Sequence, residues 1–281
     1  MARIQTETPE IAPPPAPETE EKATPSYDVP PVTRAIMLLR YIAAGNRCRN
    51  IAKASQDVGI NRTTLIRLLH TLEREEMIDK APEGEGYVLG FGVLELASSL
   101  LGSSDIARAA RPILHHLASE TGLSAHLGVL AGTDVIVLVR ETPEVQLVSN
   151  IRVGSRLPAY ATVMGRMILS HMPAAQVTAL LSGYTFAAIT DQTPTTIESL
   201  SVQLKIDREA GIAWSVAFYE EGIGSCSCVV LDQNDHPVGA ISLSGPQANF
   251  EEGSEKRLQI AAGVRDGARR LSALMGHLGS A

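Results

Sequence analysis

The sequence predicts an α+β protein in two parts, and three observations predict it. Between residues 51 and 89, two short helix patterns flank a tight turn and lead into a short strand–turn–strand. After Gly122 the apolar period drops from 3.6 to 2, in two strand pairs separated by turn residues. Ahead of both, residues 1–31 hold eight of the sixteen prolines together with Glu7, Glu10, Glu18, Glu20 and Glu21. Few residues there could anchor a core, so an acidic, polyproline-prone, disordered tail is expected. The expected order is tail (1–31), small helical unit with a β-ribbon (32–90), linker helix (91–104) and larger unit on an antiparallel sheet (105–281).

In the small unit, Val32–Ala44 (VTRAIMLLRYIAA) supplies a first helix, with Ala35, Ile36, Leu38, Leu39 and Ile42 available to a three-helix core. Ile51–Val58 is the second. At Val58-Gly59-Ile60-Asn61, Gly59 suits a left-handed or tight backbone position and Asn61 an N-cap. The third helix, Arg62–Glu73, gathers Leu65, Leu68, Leu69 and Leu72 on one stripe and Thr63, Arg67, His70 and Arg74 opposite. Met77–Ala81 and Tyr87–Leu89, joined through Pro82-Glu-Gly-Glu-Gly86, read as a wing. This is the pattern of a winged helix-turn-helix, whose third helix offers cations and short hydrogen-bonding groups to a major groove. Charge agrees locally. The whole chain carries −7, which argues against indiscriminate nucleic-acid binding. Residues 33–80, however, hold nine bases against five acids, a balance of +4, which suits phosphate contacts confined to one surface.

Phe91–Gly102 reads as a helix linking the two units, and the larger unit opens with a longer helix, Asp105–Thr121, capped by Ser104 and stopped at Gly122. Ala125–Leu130 and Val135–Arg140 read as a hairpin of well-buried strands, and Val145–Ile151 as a further strand. Ala161–His171, Ala174–Leu181 and Ile197–Ala210 are helical, Ser225–Leu231 and Val238–Ser244 form a second hairpin, and Glu251–Leu278 closes the chain as an amphipathic helix. Hairpins with helices between them indicate a sensor-like α+β domain.

Several function classes are weak on this sequence. No apolar run approaches the roughly 20 residues that span a bilayer, and the N-terminus lacks the apolar stretch of a secretory signal. Three cysteines give no disulfide framework, so a cytoplasmic location is expected. There is no G-x-S-x-G, H-E-x-x-H or Walker A, and no nucleophile with a base, so catalysis is not expected. Cys226 and Cys228 share one face of a strand. With His126 or His236 they could approach a metal, but structural zinc wants four ligands in closely spaced pairs, so two buried thiols are the expected reading. His115 and His116 point about 100° apart on a helix and make a poor chelating pair. No cofactor or metal is expected.

From about Val32 to Ala273 the chain resembles the IclR family of bacterial transcriptional regulators, through VTRAIMLLRYIA, GINRTTLIRLLHTLEREEMI, YVLGFGVLEL, RLPAYATVMGRMILS and DREAGIAWS…EEGIGSCSCVVLD…PVGAISLSGP in that order. The resemblance implies a winged helix joined by a helix to a GAF-like effector domain. It implies a homodimer or dimer of dimers on palindromic operator DNA, acting as repressor or activator in response to a small organic acid. It places DNA contacts at Asn61, Arg62, Thr63, Thr64 and Arg67, with Arg34 and Lys80 toward phosphate. Arg67 either forks to guanine or clamps the backbone; the residues leave both open. The effector site maps to Ala161, Thr162, Val163 and Met164 at the turn into the central helix, whose N–H groups favour an anion, and to Ser215 and Ser225, where many members carry Asp and Cys. Histidine is common after the Pro-Leu of that turn; the run here is Leu157-Pro158-Ala159-Tyr160. An acidic cluster is replaced by Ser215-Val216-Ala217-Phe218. With Val163, Met164, Trp214 and Phe218 as its lining, the pocket would be less polar and would favour an aromatic or partly apolar acid. Trp214 and Phe218 fit equally well as ordinary core or interface residues, and the sequence leaves both readings open. The competing class is a GAF-type sensor whose winged helix serves protein contact or dimerisation rather than DNA.

Overall fold

The computed structural model describes residues 28–103, 105–143, 151–216 and 222–278. The chain divides into two compact units between Glu95 and Leu96.

The first unit contains α1 (Pro30–Ala43), α2 (Ile51–Val58), α3 (Arg62–Arg74) and the antiparallel pair β1 (Ile78–Lys80) and β2 (Tyr87–Leu89). Helix α1 starts two residues earlier than the sequence suggests because Pro30 and Pro31 occupy the first turn, where no N–H donor is needed. Asn50 caps α2 by accepting from the Ala52 and Lys53 N–H groups. Gly59 ends it in the left-handed region, at φ 69°, a conformation that penalises a side chain. Leu38, Ile42, Val58, Ile60, Leu65, Leu69, Leu72 and Ile78 close a single small core. The Tyr41 hydroxyl donates to Asp57 at 2.7 Å and ties α1 to α2.

Helix α4 (Phe91–Ser103) spans the division between the units. The second unit is a sheet between helices. The sheet has six strands in the order β5 (Arg156–Pro158), β4 (Asp134–Glu141), β3 (Ser124–Ala131), β8 (Pro237–Pro246), β7 (Ile223–Leu231) and β6 (Ala213–Val216), every pair antiparallel. Against one face lie α5 (Asp105–Thr121) and α9 (Glu255–Leu274), burying Ile113, Leu114, Leu117, Val264 and Leu271 on Leu127, Ile241 and Leu243. On the other face lies α6 (Val163–Ser170), backed by α7 (Ala174–Leu180) and α8 (Ile197–Ala210), with Met167, Ile168, Leu169, Leu200 and Leu204 in that core. The β3–β4 register slips by one at Leu127/Gly128, leaving Leu138 as an extra residue. That bulge lets Val139 face one core and Val135 and Val137 the other.

Several elements depart from the sequence reading. The short edge strands β5 and β6 were not expected, because three or four residues carry no readable period. Helix α6 begins at Val163 rather than Ala161, since the Thr162 hydroxyl accepts from the Gly165 N–H and so defines the cap. Helix α9 begins at Glu255, capped by Ser254, after a 3₁₀ turn at Gln247–Phe250, and ends at Leu274. The expected strand Val145–Ile151 and the Ser104 cap fall outside the described residues, apart from Ile151, which lies in no strand. No helix of the described residues is long and apolar enough to cross a membrane.

Every residue of α6 is buried, and its closest approach is at Gly165. A Cβ there would lie 2.1 Å from the Ala159 carbonyl oxygen and 2.5 Å from its carbon. Both are backbone atoms with no rotamer to change. Gly165→Ala is therefore expected to cost about 1–3 kcal/mol or more through overpacking. Thermal unfolding followed by circular dichroism checks this; an unchanged midpoint would show that the turn at Ala159 yields freely.

Candidate nucleic-acid interface and ligand pocket

Helix α3 separates its two faces as its sequence demands. Leu65, Leu69 and Leu72 are buried, whereas Arg62, Thr63, Arg67 and His70 are exposed. Asn61 is the N-cap: its side-chain oxygen accepts from the Thr64 N–H at 2.8 Å. The capping fixes where the helix starts, and so where Arg62 and Thr63 project. Among the described residues, Arg34, Arg62 and Arg67 enter no ion pair, so their charge is available to an outside anion. Lys80 differs. Its ammonium lies 3.1 Å from a Glu73 carboxylate oxygen, and that hydrogen bond raises its pKa. A phosphate would have to compete with Glu73 for it. Arg47 and Arg49 are similarly engaged by Glu85, and Arg74 by Glu75.

The second site is a cavity of about 40 Å³ between the sheet and the first turn of α6. Its floor follows from strand register. Ser215 of β6 faces Ser225 of β7, which faces Ser244 of β8, which faces Ser124 of β3, so one serine from each of four adjacent strands forms a rung across the sheet. In the next rung His126 of β3 faces Ser242 of β8, with Arg140 of β4 on its other side. His126, Ser215, Ser225, Ser242 and Ser244 all line the cavity. Ala161, Thr162, Val163 and Met164 form the roof, and Ile151, Leu157 and Ile223 complete an apolar wall. The N–H groups of the α6 first turn have no carbonyl inside the helix to bind.

Two buried contacts hold the roof in place. The Arg166 guanidinium, fully buried, donates to Asp207 Oδ2 at 2.9 Å and to the Trp214 carbonyl at 2.6 Å, linking α6 to α8 and β6. The Tyr160 hydroxyl donates to the Ala187 carbonyl at 2.7 Å, and its ring packs edge-on against Tyr184 and Phe186. The turn into α6 therefore has its own aromatic anchor at the position where the resemblance leads one to expect histidine nearby.

The expected site is thus gathered in part. Ala161, Thr162, Val163, Met164, Ser215 and Ser225 meet in one cavity. Trp214 does not join them. Adjacent residues of a strand face opposite sides, and with Ser215 turned to the cavity Trp214 turns to the other core. There it lies edge-on to Phe250 at 6.3 Å, with Arg257 stacked 4.1 Å from its ring centre. Phe218 lies outside the described residues. The lining is also more polar than expected, because His126, Ser242 and Ser244 were not anticipated. Their signal was present as Ser124-x-His126, Ser225-x-Ser227 and Ser242-x-Ser244: polar residues at every second position of strands whose alternate positions are core. Cys226 and Cys228 are buried on the apolar side, where burial pushes both thiols up, Cys228 to about 12. No cluster of three metal-ligating side chains occurs among the described residues.

His126 is fully buried, and neither ring nitrogen has a hydrogen-bond partner among the described residues. Burial, aided by Arg140, drives its pKa down to about 3. The folded protein keeps the ring neutral, whereas the unfolded chain protonates near about pH 6.5. The stability tied to this group is fully present above that pH and is lost as pH falls toward 3, at about 1.4 kcal/mol per pH unit. Denaturation of wild type and His126→Asn between about pH 7.5 and 4 reads this: wild type should weaken more steeply by one proton. Parallel curves would mean that the ring protonates in the folded state.

Comparison with known proteins assigns both units to one family. Residues 98–273 match the model of the bacterial transcriptional regulator IclR C-terminal domain, and residues 31–82 match the IclR helix-turn-helix domain. The HTH-type transcriptional regulator XynR of Escherichia coli K12 is 30% identical over 213 residues, covering 76% of this chain and 84% of that one. The crystal structure of an IclR transcriptional regulator from Alicyclobacillus acidocaldarius superposes with a TM-score of 0.76 at 26% identity, covering 89% of this chain and all of the other. An IclR homologue from Microbacterium hydrocarbonoxydans, solved in complex with 4-hydroxybenzoate, shares the fold with a TM-score of 0.73 at 19% identity, covering 88% of this chain and 99% of its own. Relatives of this kind are regulators, not enzymes. The winged helix-turn-helix, the sheet with its helices and both domain matches make one assignment: the chain belongs to the IclR family of bacterial transcriptional regulators.

Proposed function

We propose that this protein binds operator DNA through α3 and that a small organic acid in the cavity beneath α6 adjusts that binding. The observation that carries the ligand reading is the cavity itself. A buried sheet face bearing four lining serines and an unpartnered histidine is costly unless something polar occupies it, and the α6 first turn opposite supplies N–H donors suited to a carboxylate. The homologue that holds 4-hydroxybenzoate supports an aromatic acid as the class to test first. At about 40 Å³ the cavity has room for water but not for such an acid, so binding must move the wall. Met164, flexible and polarisable, is the natural side chain to shift. A ligand that fits only the opened form shifts the protein toward it, and this is how binding in the pocket gains leverage on the rest of the protein.

On the DNA side, Arg62, Thr63 and Arg67 face a major groove, the two arginines in no ion pair among the described residues, Asn61 and Thr64 set the start of the helix, and Arg34 reaches phosphate. Lys80 contributes less, because Glu73 holds it. Acting as a homodimer or a dimer of dimers, the protein reads half-sites about one helical turn, or multiples of it, apart. It works in the cytoplasm as repressor or activator.

Fluorescence anisotropy of the full chain on DNA selected from fragmented genomic DNA tests this. Affinity should fall steeply with salt. Arg67→Ala should lose about 1–3 kcal/mol with relaxed specificity, and Arg62→Ala should flatten the salt slope by about one unit. Binding that ignores both substitutions would remove α3 from the interface and favour a protein-contact role for the winged helix. For the ligand, Ser225→Val should weaken the response to a panel of aromatic and aliphatic acids by about tenfold, the worth of one hydrogen bond to a charged group. An unaltered response would place the acid elsewhere.

A further inference from the structure

A bound acid would leave part of the pocket's hydrogen-bonding capacity unused. A carboxylate only accepts hydrogen bonds, and the α6 first turn and the floor serines supply donors for it. His126 asks for something else. Its ring is neutral, so one nitrogen donates and the other accepts. Among the described residues both are buried without partners, and Ser244 Oγ, one rung along on the neighbouring strand, is likewise buried and unpartnered. Ser227, in the same rung as His126, differs: its hydroxyl is already donated to the Ile241 carbonyl at 2.7 Å. A carboxylate can pair only with the N–H of the ring, because it has no proton to offer the bare nitrogen. A hydroxyl both donates and accepts, so it can satisfy either nitrogen of the ring while exchanging a second bond with Ser244.

We propose that His126, with Ser244, reads a hydroxyl group on the ligand, so that the pocket selects hydroxy-carboxylic acids over the same acids without the hydroxyl. This rests on the acid-binding reading above and adds to it the identity of the second group recognised. It makes His126 the residue that determines specificity, while the α6 first turn determines that the ligand is an acid.

Isothermal titration calorimetry on the full chain tests it with matched probes: benzoate and 4-hydroxybenzoate, propionate and lactate, acetate and glycolate. In at least one pair the hydroxylated member should bind about tenfold or more tightly, since a site built to hydrogen-bond a hydroxyl rejects the analogue lacking it. His126→Leu should bring the two members of that pair within about threefold of each other. His126→Gln, which keeps a donor and an acceptor, should restore the preference. Equal binding of both members by wild type, or an intact preference in His126→Leu, overturns the proposal and leaves the acid-binding reading standing; a water then partners His126. Failure of every acid to bind overturns both. Where His126→Leu does not fold, Ser244→Ala takes its place, with a reduced preference expected and an unchanged one fatal to the proposal.

Discussion

The second unit depends on how one buried charge is held. Burial works against both charges of the Arg166–Asp207 pair, pushing the guanidinium pKa down and the carboxyl up, and the pairing between them offsets it. Such a pair is tolerable only with good geometry and further hydrogen bonds. Here Asp207 also accepts from Gln203 at 3.0 Å, and Arg166 also reaches the Trp214 carbonyl. The bonds leave little freedom. They fix α6 against α8 and against β6, and Arg208 repeats the tie by donating to the Ser170 carbonyl at the far end of α6. A helix so held presents its first turn at one height above the sheet, and the cavity is the space left beneath it.

The sheet uses its two faces differently. On the α5–α9 side, Cys226, Cys228, Ile241 and Leu243 pack as an ordinary apolar core. On the α6 side the same strands place serines and a histidine out of solvent. Both faces are buried, so burial alone does not distinguish core from site. The distinction lies in hydrogen bonding: the apolar face needs none, and the polar face is left incomplete by the protein itself. A site made this way favours a small polar ligand over water only where the ligand matches its donors and acceptors better.

In the first unit the constraint is electrostatic. Cations near the wing are largely neutralised by neighbouring glutamates, whereas Arg34, Arg62 and Arg67 are not. The chain is acidic overall while these cations, in no ion pair among the described residues, gather in this unit, the charge distribution that the proposed DNA binding requires. The Asn61 cap and the left-handed Gly59 set the angle at which that surface leaves the turn.

The sequence by itself determined whatever rests on neighbours along the chain. The end of α2 and the start of α3 follow from Gly59 and Asn61; α5 and α8 match their periodic spans; both hairpins follow from alternation and turn residues. Capping and amphipathicity are local, so they are legible. Tertiary structure decided what depends on pairing between distant segments. Strands β5 and β6 are too short to announce themselves and exist because longer neighbours offer an edge. Trp214 and Ser215 look equally eligible for the pocket in the sequence, and only the β6–β7 register sends one to each side. His126, Ser244 and Ser215 lie far apart in the chain, and they become one polar floor only when β3, β8, β7 and β6 align. A one-residue slip in any of these registers would bury the serines in the apolar core. The chemistry of the site was therefore written in residue types, while its assembly belongs to the sheet.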